Sequence, residues 1–436
     1  MKILLNQLVL IKMLIILLSV NCFGQATYLG LREESNVRQA QSELTAYGTY
    51  WPKSQLIDEY LYIPTQTGIY RKNLATTPND TTWELYAFQN VPIRAFIKWN
   101  DTILAATALE GNANLLLIST DDGQTYRDYT SSHFFINHPT STIFNLAMNP
   151  QNHNEILAYH LRSGISKSTD FGLTWTSLNP FIGSYQDWFV GFNPNDTANI
   201  FYTGEQIFFE SFINASYDRG SNWQFVERIN THCTHGITFH PTNKDIMISY
   251  GEGRIAKSID QGHTWSTGTG VNSYVLKVIY DSQNPNILYA TGDVMGEDEN
   301  VKVFKSVDGG ETWDTFDFFV PDSDGAMAIH QYGGQLYLFT LTNGVYTISP
   351  DALNIQQNVK ADDIAIYPNP VEDALNISSE RQIFNVTIHD LGGRLVYNTR
   401  VNGSTATLNV KDLSRGIYIC AIVTENGTIT KKIMKS

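Results

Sequence analysis

One eight-residue motif, repeated five times, constrains the fold of this chain more than any other feature. It has the form Ser-x-Asp-x-Gly-x-Thr-Trp and opens at Ser119, Ser168, Ser216, Ser258 and Ser306, at spacings of 49, 48, 42 and 48 residues. Asn222 takes the Thr place in the third copy, and Tyr126 takes the Trp place in the first. One period outward lie two worn copies. Thr76–Trp83 carries Pro78 in the Asp place and Asp80 in the Gly place, and a second opens at Ser349 with Asp351 two residues on. Seven units of this length match the period of a four-stranded propeller blade.

The motif has a mechanical reading as a tight hairpin between two antiparallel strands. Gly123, Gly172, Gly220, Gly262 and Gly310 supply a positive φ that a side chain resists. Asp121, Asp170, Asp218, Asp260 and Asp308 accept hydrogen bonds from the turn. Trp175, Trp223, Trp265 and Trp313 bury a ring beneath it. Asp80 is expected to replace glycine because Asp tolerates the left-handed region. Upstream of each octet come alternating apolar runs such as Phe144–Met148 and Glu155–Tyr159, divided by turn residues around Pro150. Four strands per unit and seven units predict an all-β, seven-bladed β-propeller over residues 51–358. Residues 25–50 are left as an N-terminal segment.

The octet resembles the Asp-box, or bacterial neuraminidase repeat. The region from about residue 50 to 355 is thus similar to Asp-box propellers: sialidases, xyloglucanase-type glycosidases, sortilin-like receptors and photosystem-assembly propellers. In that family the box is a structural hairpin remote from the active face, so the resemblance implies a fold and not an activity.

The pattern changes after Asn358. Tyr367-Pro368-Asn369-Pro370, Asp390-Leu391-Gly392-Gly393-Arg394-Leu395-Val396, Gly416-Ile417-Tyr418-Ile419 and the basic end Lys431–Lys435 follow in order. Short strands separated by turns predict a small Ig-like β-sandwich over 359–436. These motifs resemble the type A C-terminal sorting domain of the type IX secretion system. That resemblance implies the type IX machinery as a partner through residues 359–436, transit of the periplasm and delivery to the outer-membrane surface or beyond.

The other end is consistent with export. Lys2 and Lys12 precede the apolar run Met13–Val20, which is too short for a bilayer anchor. Residues 1–24 read as a signal peptide cut near Gly24, and a lipidated Cys22 is the alternative, with Asn21 unfavourable before it. Cys233 and Cys420 then remain, in different expected domains, so no structural disulfide is expected. No transmembrane anchor is expected in the mature chain. A net charge of −14 with no basic cluster in the body of the chain argues against nucleic acid.

A propeller carries its ligands on one open face, built by the loops that lead into the inner strands. Those segments hold Arg94, His138, Tyr185, Asp187, Trp188, His232, Cys233, His235, Asn272, Tyr274, Asp322 and Asp324. Asp187 and the pair Asp322 and Asp324 lie about three blades apart. In a glycoside hydrolase they serve as acid and base, with Trp188 or Tyr185 as a sugar platform. In a binding protein the same residues, with Arg94, His138, His232, His235 and Tyr274, contact a polysaccharide or a surface protein. A sialidase needs three arginines and a tyrosine nucleophile with a glutamate partner. Arginine is scarce on the expected open face, and Pro92-Ile93-Arg94 reverses the expected motif, which argues against that activity.

No cofactor and no structural metal are expected. His232, Cys233 and His235 do not by themselves make a tetrahedral site. The acidic loop around Glu297 reads either as an oxygen-ligand Ca²⁺ loop or as a solvated hairpin tip. Asp101-Thr102-Ile103 and Asp196-Thr197-Ala198 resemble sites at which bacteria with this secretion system attach O-glycans.

Overall fold

A computed structural model describes residues 27–31, 53–107, 115–129, 143–160, 164–178, 184–206, 210–227, 233–271, 273–293, 300–319, 326–340, 344–350, 353, 364–390, 395–424 and 427–436. The apolar N-terminal run, Cys22 and the Glu297 loop lie outside them. Among the described residues the chain forms two compact units, one spanning Ala26–Ile348 and the other containing Ser349–Ser436.

The first unit is built from seven four-stranded antiparallel sheets, the blades of a propeller. Each blade starts with an inner strand: Gln55–Ile57, Ile93–Trp99, Ile143–Asn149, Ser184–Asn193, Thr234–Phe239, Tyr274–Tyr280 and Ala326–Tyr332 in blades 1 to 7. Three further antiparallel strands follow outward in chain order in blades 1 to 6. Blades pack through their apolar faces. Tyr62, Ile69, Phe96 and Ala105 fill the gap between blades 1 and 2, and Leu104, Ile118, Leu146 and Ile156 that between blades 2 and 3. Similar clusters join blades 3 to 4, 4 to 5 and 5 to 6. Alternation along each strand produces this arrangement, because both faces of every central sheet meet a neighbour.

The octet forms the hairpin between the third and fourth strands of blades 2 to 6, and its geometry is nearly invariant. The Ser hydroxyl donates to the Asp carboxylate at 2.8 Å in every copy. The same oxygen accepts the Gly N–H at 2.7–2.9 Å. The seventh residue donates its backbone N–H at 2.8–2.9 Å and its side chain at 2.5–2.6 Å to the two Asp oxygens. The Trp indole, where present, donates to the Gly carbonyl at 2.9–3.1 Å. Two successive residues take positive φ, for example Phe171 at 55° and Gly172 at 87°. The first of the two donates its N–H across the blade to the first–second strand hairpin or the start of the second strand, as Phe171 does to the Asn154 carbonyl at 3.0 Å.

The worn copy at Thr76–Trp83 departs from the expectation. Asp80 does not adopt a left-handed conformation. Its carboxylate accepts the Thr82 N–H at 3.1 Å and pairs with the buried Lys72 ammonium, so it fills the Asp role and not the Gly role. Most of the copy at Ser349, Asp351 included, lies outside the described residues. Blade 7 takes its outer strand from the other end of the unit, where Thr27–Tyr28 pairs antiparallel with Gly344–Ile348. Leu29 and Gly30 extend the pairing through the Val345 carbonyl and N–H at 2.7 and 3.0 Å. The Trp83 indole holds the Leu29 carbonyl at 2.7 Å, and Leu29 is fully buried between blades 7 and 1. The boundary drawn at residue 51 leaves this strand outside the ring that it closes.

The second unit is a single five-stranded sheet, curled like a sandwich that has nearly closed. It has fewer and longer strands than the turns suggested. Ala374–Asp390 bends at a register shift between Ser378 and Ile383, so one strand pairs with three neighbours. Ile377, Val386, Ile388, Cys420, Ile422 and Ile433 fill its core. Asn369 clasps the last strand, donating to the Lys432 carbonyl at 3.0 Å and accepting the Met434 N–H at 2.8 Å. The Val371 N–H adds a bond to the Met434 carbonyl at 2.7 Å.

Candidate functional site

In a four-stranded up-and-down blade, the first–second and third–fourth hairpins share one end. The octets therefore mark one rim of the disc, and the opposite rim carries the second–third hairpins and the crossovers between blades. The inner strands of all seven blades line one axial cavity of about 460 Å³. Its polar lining comes from Lys53, Ser54, Gln55, Lys98, Asn145, His235, Lys277 and His330, and its apolar lining includes Leu146, Phe189, Val190, Ile237 and Leu276.

The sequence-derived residues are distributed unevenly around this channel. His235 lies on the inner strand of blade 5 and lines the cavity. Its Nδ1 sits 2.8 Å from the Val275 carbonyl. Burial pushes its pKa down to about 4, against the effect of that bond and with Lys53 adding to the depression, so the imidazole is neutral at pH 7. Its ring lies 6.5 Å from that of Tyr274, nearly parallel. Tyr274 donates its hydroxyl to Glu252. The Glu252 N–H bonds the Cys233 carbonyl at 3.0 Å, and the Gly253 N–H bonds the Ser273 carbonyl at 2.9 Å. His235, Tyr274, Glu252 and Cys233 thus gather where blades 5 and 6 meet on the rim away from the octets. Gly236 makes this packing feasible, because a Cβ there would lie 2.5 Å from the Tyr250 hydroxyl.

Arg94 is not on the open face. It is 2% exposed, with its guanidinium 4.9 Å over the Phe144 ring between blades 2 and 3. The backbones of Tyr185, Asp187 and Trp188 lie at the rim end of the blade 4 inner strand. His138, His232, Asn272, Asp322 and Asp324 lie outside the described residues. Among the described residues, no three His, Cys, Asp or Glu side chains converge as metal ligands, and no helix is long and apolar enough to cross a membrane. Of the two threonines flagged for glycosylation, Thr197 is buried and Thr102 half-buried.

Three lining residues escaped the sequence reading. Lys53 precedes the blade 1 inner strand, Lys277 interrupts the apolar strand Tyr274–Tyr280, and His330 does the same in Ala326–Tyr332. The Ser54 hydroxyl and His330 Nε2 lie 2.9 Å apart. Burial, then Lys277, lowers His330 to about 3. Burial, then Lys277, lowers Lys53 to about 8. A lone charge in an otherwise apolar strand was the available signal. Glu252 carries no such signal, because its hairpin joins the second and third strands of blade 5 and does not lead into an inner strand.

The second unit is decided by its sequence motifs. Residues 365–436 match the secretion system C-terminal sorting domain. A sorting domain of this kind implies an interaction with the type IX machinery and export to the cell surface or the extracellular space. No match emerges among curated proteins.

Solved structures place the propeller among known folds. The GH74 enzyme of Niastella koreensis superposes with a TM-score of 0.55 at 16% identity, covering 94% of this chain and 67% of that one. The GH74 xyloglucanase of Xanthomonas campestris gives 0.52 at 15%, covering 69% of this chain. The chain spans about half, 52%, of that enzyme's length. YCF48 bound to D1 peptide gives 0.50 at 14%, with 69% and 91% covered. Likeness at this identity establishes the fold alone.

Proposed function

We propose that this is a surface or secreted propeller that binds a glycan or a protein ligand at the rim opposite its octets. The observation that carries this reading is the character of the axial site. Its described polar groups are lysines, histidines, amides and the Ser54 hydroxyl, whereas hydrolysis of a glycoside needs two carboxylates flanking the bond. Tyr274, lying over the buried His235 ring, supplies a flat face at this rim, and Glu252 supplies an acceptor, the groups that hold sugars or peptide backbones. The octet is read as the Asp-box. Residues 1–24 are read as the signal peptide, 51–358 with the added strand at 27–28 as the propeller, and 359–436 as the domain removed after passage through the periplasm.

The second reading is a glycoside hydrolase using Asp187 with Asp322 or Asp324, and it draws support from the two GH74 neighbours. YCF48, bound to a peptide on the same fold, supports the binding reading equally. Incubation of the secreted chain with a polysaccharide panel and a glycan array separates them. Retention without turnover, lost on Tyr274→Ala, is expected. Release of reducing ends that disappears in Asp187→Ala or Asp322→Ala overturns the binding reading in favour of the enzyme.

A further inference from the structure

Among the tryptophans whose side chains are described, all but Trp99 are tied into the fold by the indole. Trp83 donates its N–H to the Leu29 carbonyl at 2.7 Å. Trp175, Trp223, Trp265 and Trp313 each donate to the carbonyl of their octet glycine at 2.9–3.1 Å. Trp99 ends the inner strand of blade 2, paired with Thr102 across the turn formed by Asn100 and Asp101, and so lies on the octet rim. It is 42% exposed, and its indole N–H has no partner among the described residues.

The ring is nevertheless held in place. The His153 imidazole of blade 3 stacks on it, with ring centroids 3.3 Å apart and planes 9° from parallel. One face is covered in this way, so the exposed area belongs to the other face and the edge. Both hairpins beneath the pair are pinned. The Asp122 N–H bonds the Asp101 carbonyl at 2.8 Å, and the Lys98 ammonium joins the Asn100 carbonyl to the Asp122 carboxylate. The Asn149 side-chain oxygen accepts the Gln151 and Asn152 N–H groups at 2.9 and 3.2 Å, and the Gln151 amide reaches the Pro194 carbonyl of blade 4 at 2.9 Å. The axial cavity extends to the same place, because Lys98, Pro150 and Pro194 line it.

The surroundings of the ring are polar. Asn100, Asp101, Asn152 and Asn154 are exposed, and their side chains bond no described residue. A pyranose presents axial hydrogens as a flat apolar face and hydroxyls around its edge, which matches a flat indole ringed by amides and its own free N–H. A protein footprint calls instead for an apolar core shielded by its neighbours. The net charge of −14, with Asp101 two residues from the ring, disfavours a polyanion. A ring already stacked and pinned loses little freedom on binding.

We propose that the Trp99–His153 stack is a second carbohydrate site, on the octet rim, that takes a neutral pyranose of a glycan chain. It stands whether or not the Tyr274 rim binds a ligand.

The test uses the full chain carrying Tyr274→Ala, so that the other rim does not contribute, with cellohexaose and maltohexaose as probes. Saturable binding of at least one is expected in calorimetric titration. Adding Trp99→Ala is expected to weaken it by about tenfold or more, and Trp99→Phe, which keeps a flat ring, by less. The sugar that binds assigns the linkage. Because Trp99 is exposed, its variants are expected to keep the thermal midpoint of the parent. In the proton spectrum the Trp99 indole N–H resonance, identified by its loss in Trp99→Phe, is expected to shift as the sugar saturates. Binding unaffected by Trp99→Ala, or an indole resonance that neither sugar moves, overturns the proposal. Capture of a protein by the parent and not by Trp99→Ala, with neither sugar bound, overturns it in favour of a protein interface.

Discussion

Ser168 shows how much of a repeat depends on a residue that looks incidental in its motif. Its hydroxyl donates to Asp170 and accepts the buried Gly172 N–H at 2.7 Å. Without it that N–H is buried and unsatisfied, at a cost of about 1–3 kcal/mol. Ser168→Ala is expected to lower the free energy of urea unfolding by that amount with an unchanged far-UV spectrum. A loss below about 0.5 kcal/mol would mean that another group holds the turn. The Asp carboxylates contribute at acid pH. All five titrate below the usual aspartate range. For Asp170, Asp260 and Asp308 burial works the other way, and the hydrogen bonds donated by Ser and Thr outweigh it. For Asp121 and Asp218 the bonds from Thr125 and Asn222 lead. The glycine and aspartate roles were legible because they depend on backbone stereochemistry and charge. The serine role was not, because a hydroxyl's partners are set only once the turn is built. Asp80 misled for the same reason. Its carboxylate found Lys72 from the adjoining strand, a contact that no local pattern encodes.

At the scale of the element, the short strand Thr27–Tyr28 matters more than its length suggests. It covers the edge of Gly344–Ile348, which would otherwise present unpaired backbone groups. Leu29, fully buried beside it, anchors the closure. Leu29→Ala is expected to cost about 2–5 kcal/mol by cavity formation, read as a fall in the thermal midpoint. Leu173→Ala, on an exposed octet position, serves as the control and is expected to stay within about 0.5 kcal/mol of the parent. The blades themselves were legible because a period of 42 to 49 residues and alternating apolar runs leave few architectures open. The closing strand was not, since two residues carry no alternation and their partner lies at the far end of the unit. The same limit applies to the site. His235 and Tyr274 were found from their crossover positions, whereas Glu252, Lys53, Lys277 and His330 become neighbours only when the ring brings separate blades to one axis.

For the whole molecule, the axis governs the response to acid. His235 and His330 are held far below the unfolded value of about 6.5, so between that pH and their folded values of about 4 and 3 the unfolded chain binds protons that the folded chain refuses. Stability from this source is complete above about pH 6.5 and falls as pH drops, by at most about 1.4 kcal/mol per pH unit for each imidazole. The octet aspartates, with depressed folded values, add their loss only below about pH 4. Urea midpoints at pH 7.5, 6.0 and 5.0 are expected to decline, and His235→Gln with His330→Gln is expected to flatten that decline. An unaltered slope in the double variant would place the acid sensitivity elsewhere. The borrowed outer strand of blade 7 has a different kind of consequence, one of timing. The earliest segment of the disc to be made is the last to find its mate, because that mate is synthesised only after six other sheets. Until the two meet, the growing molecule exposes one bare flank, and a neighbouring copy with the same free segment is the natural intruder. Any route that exports this chain at high concentration therefore has to keep neighbours apart until each circle has shut on itself.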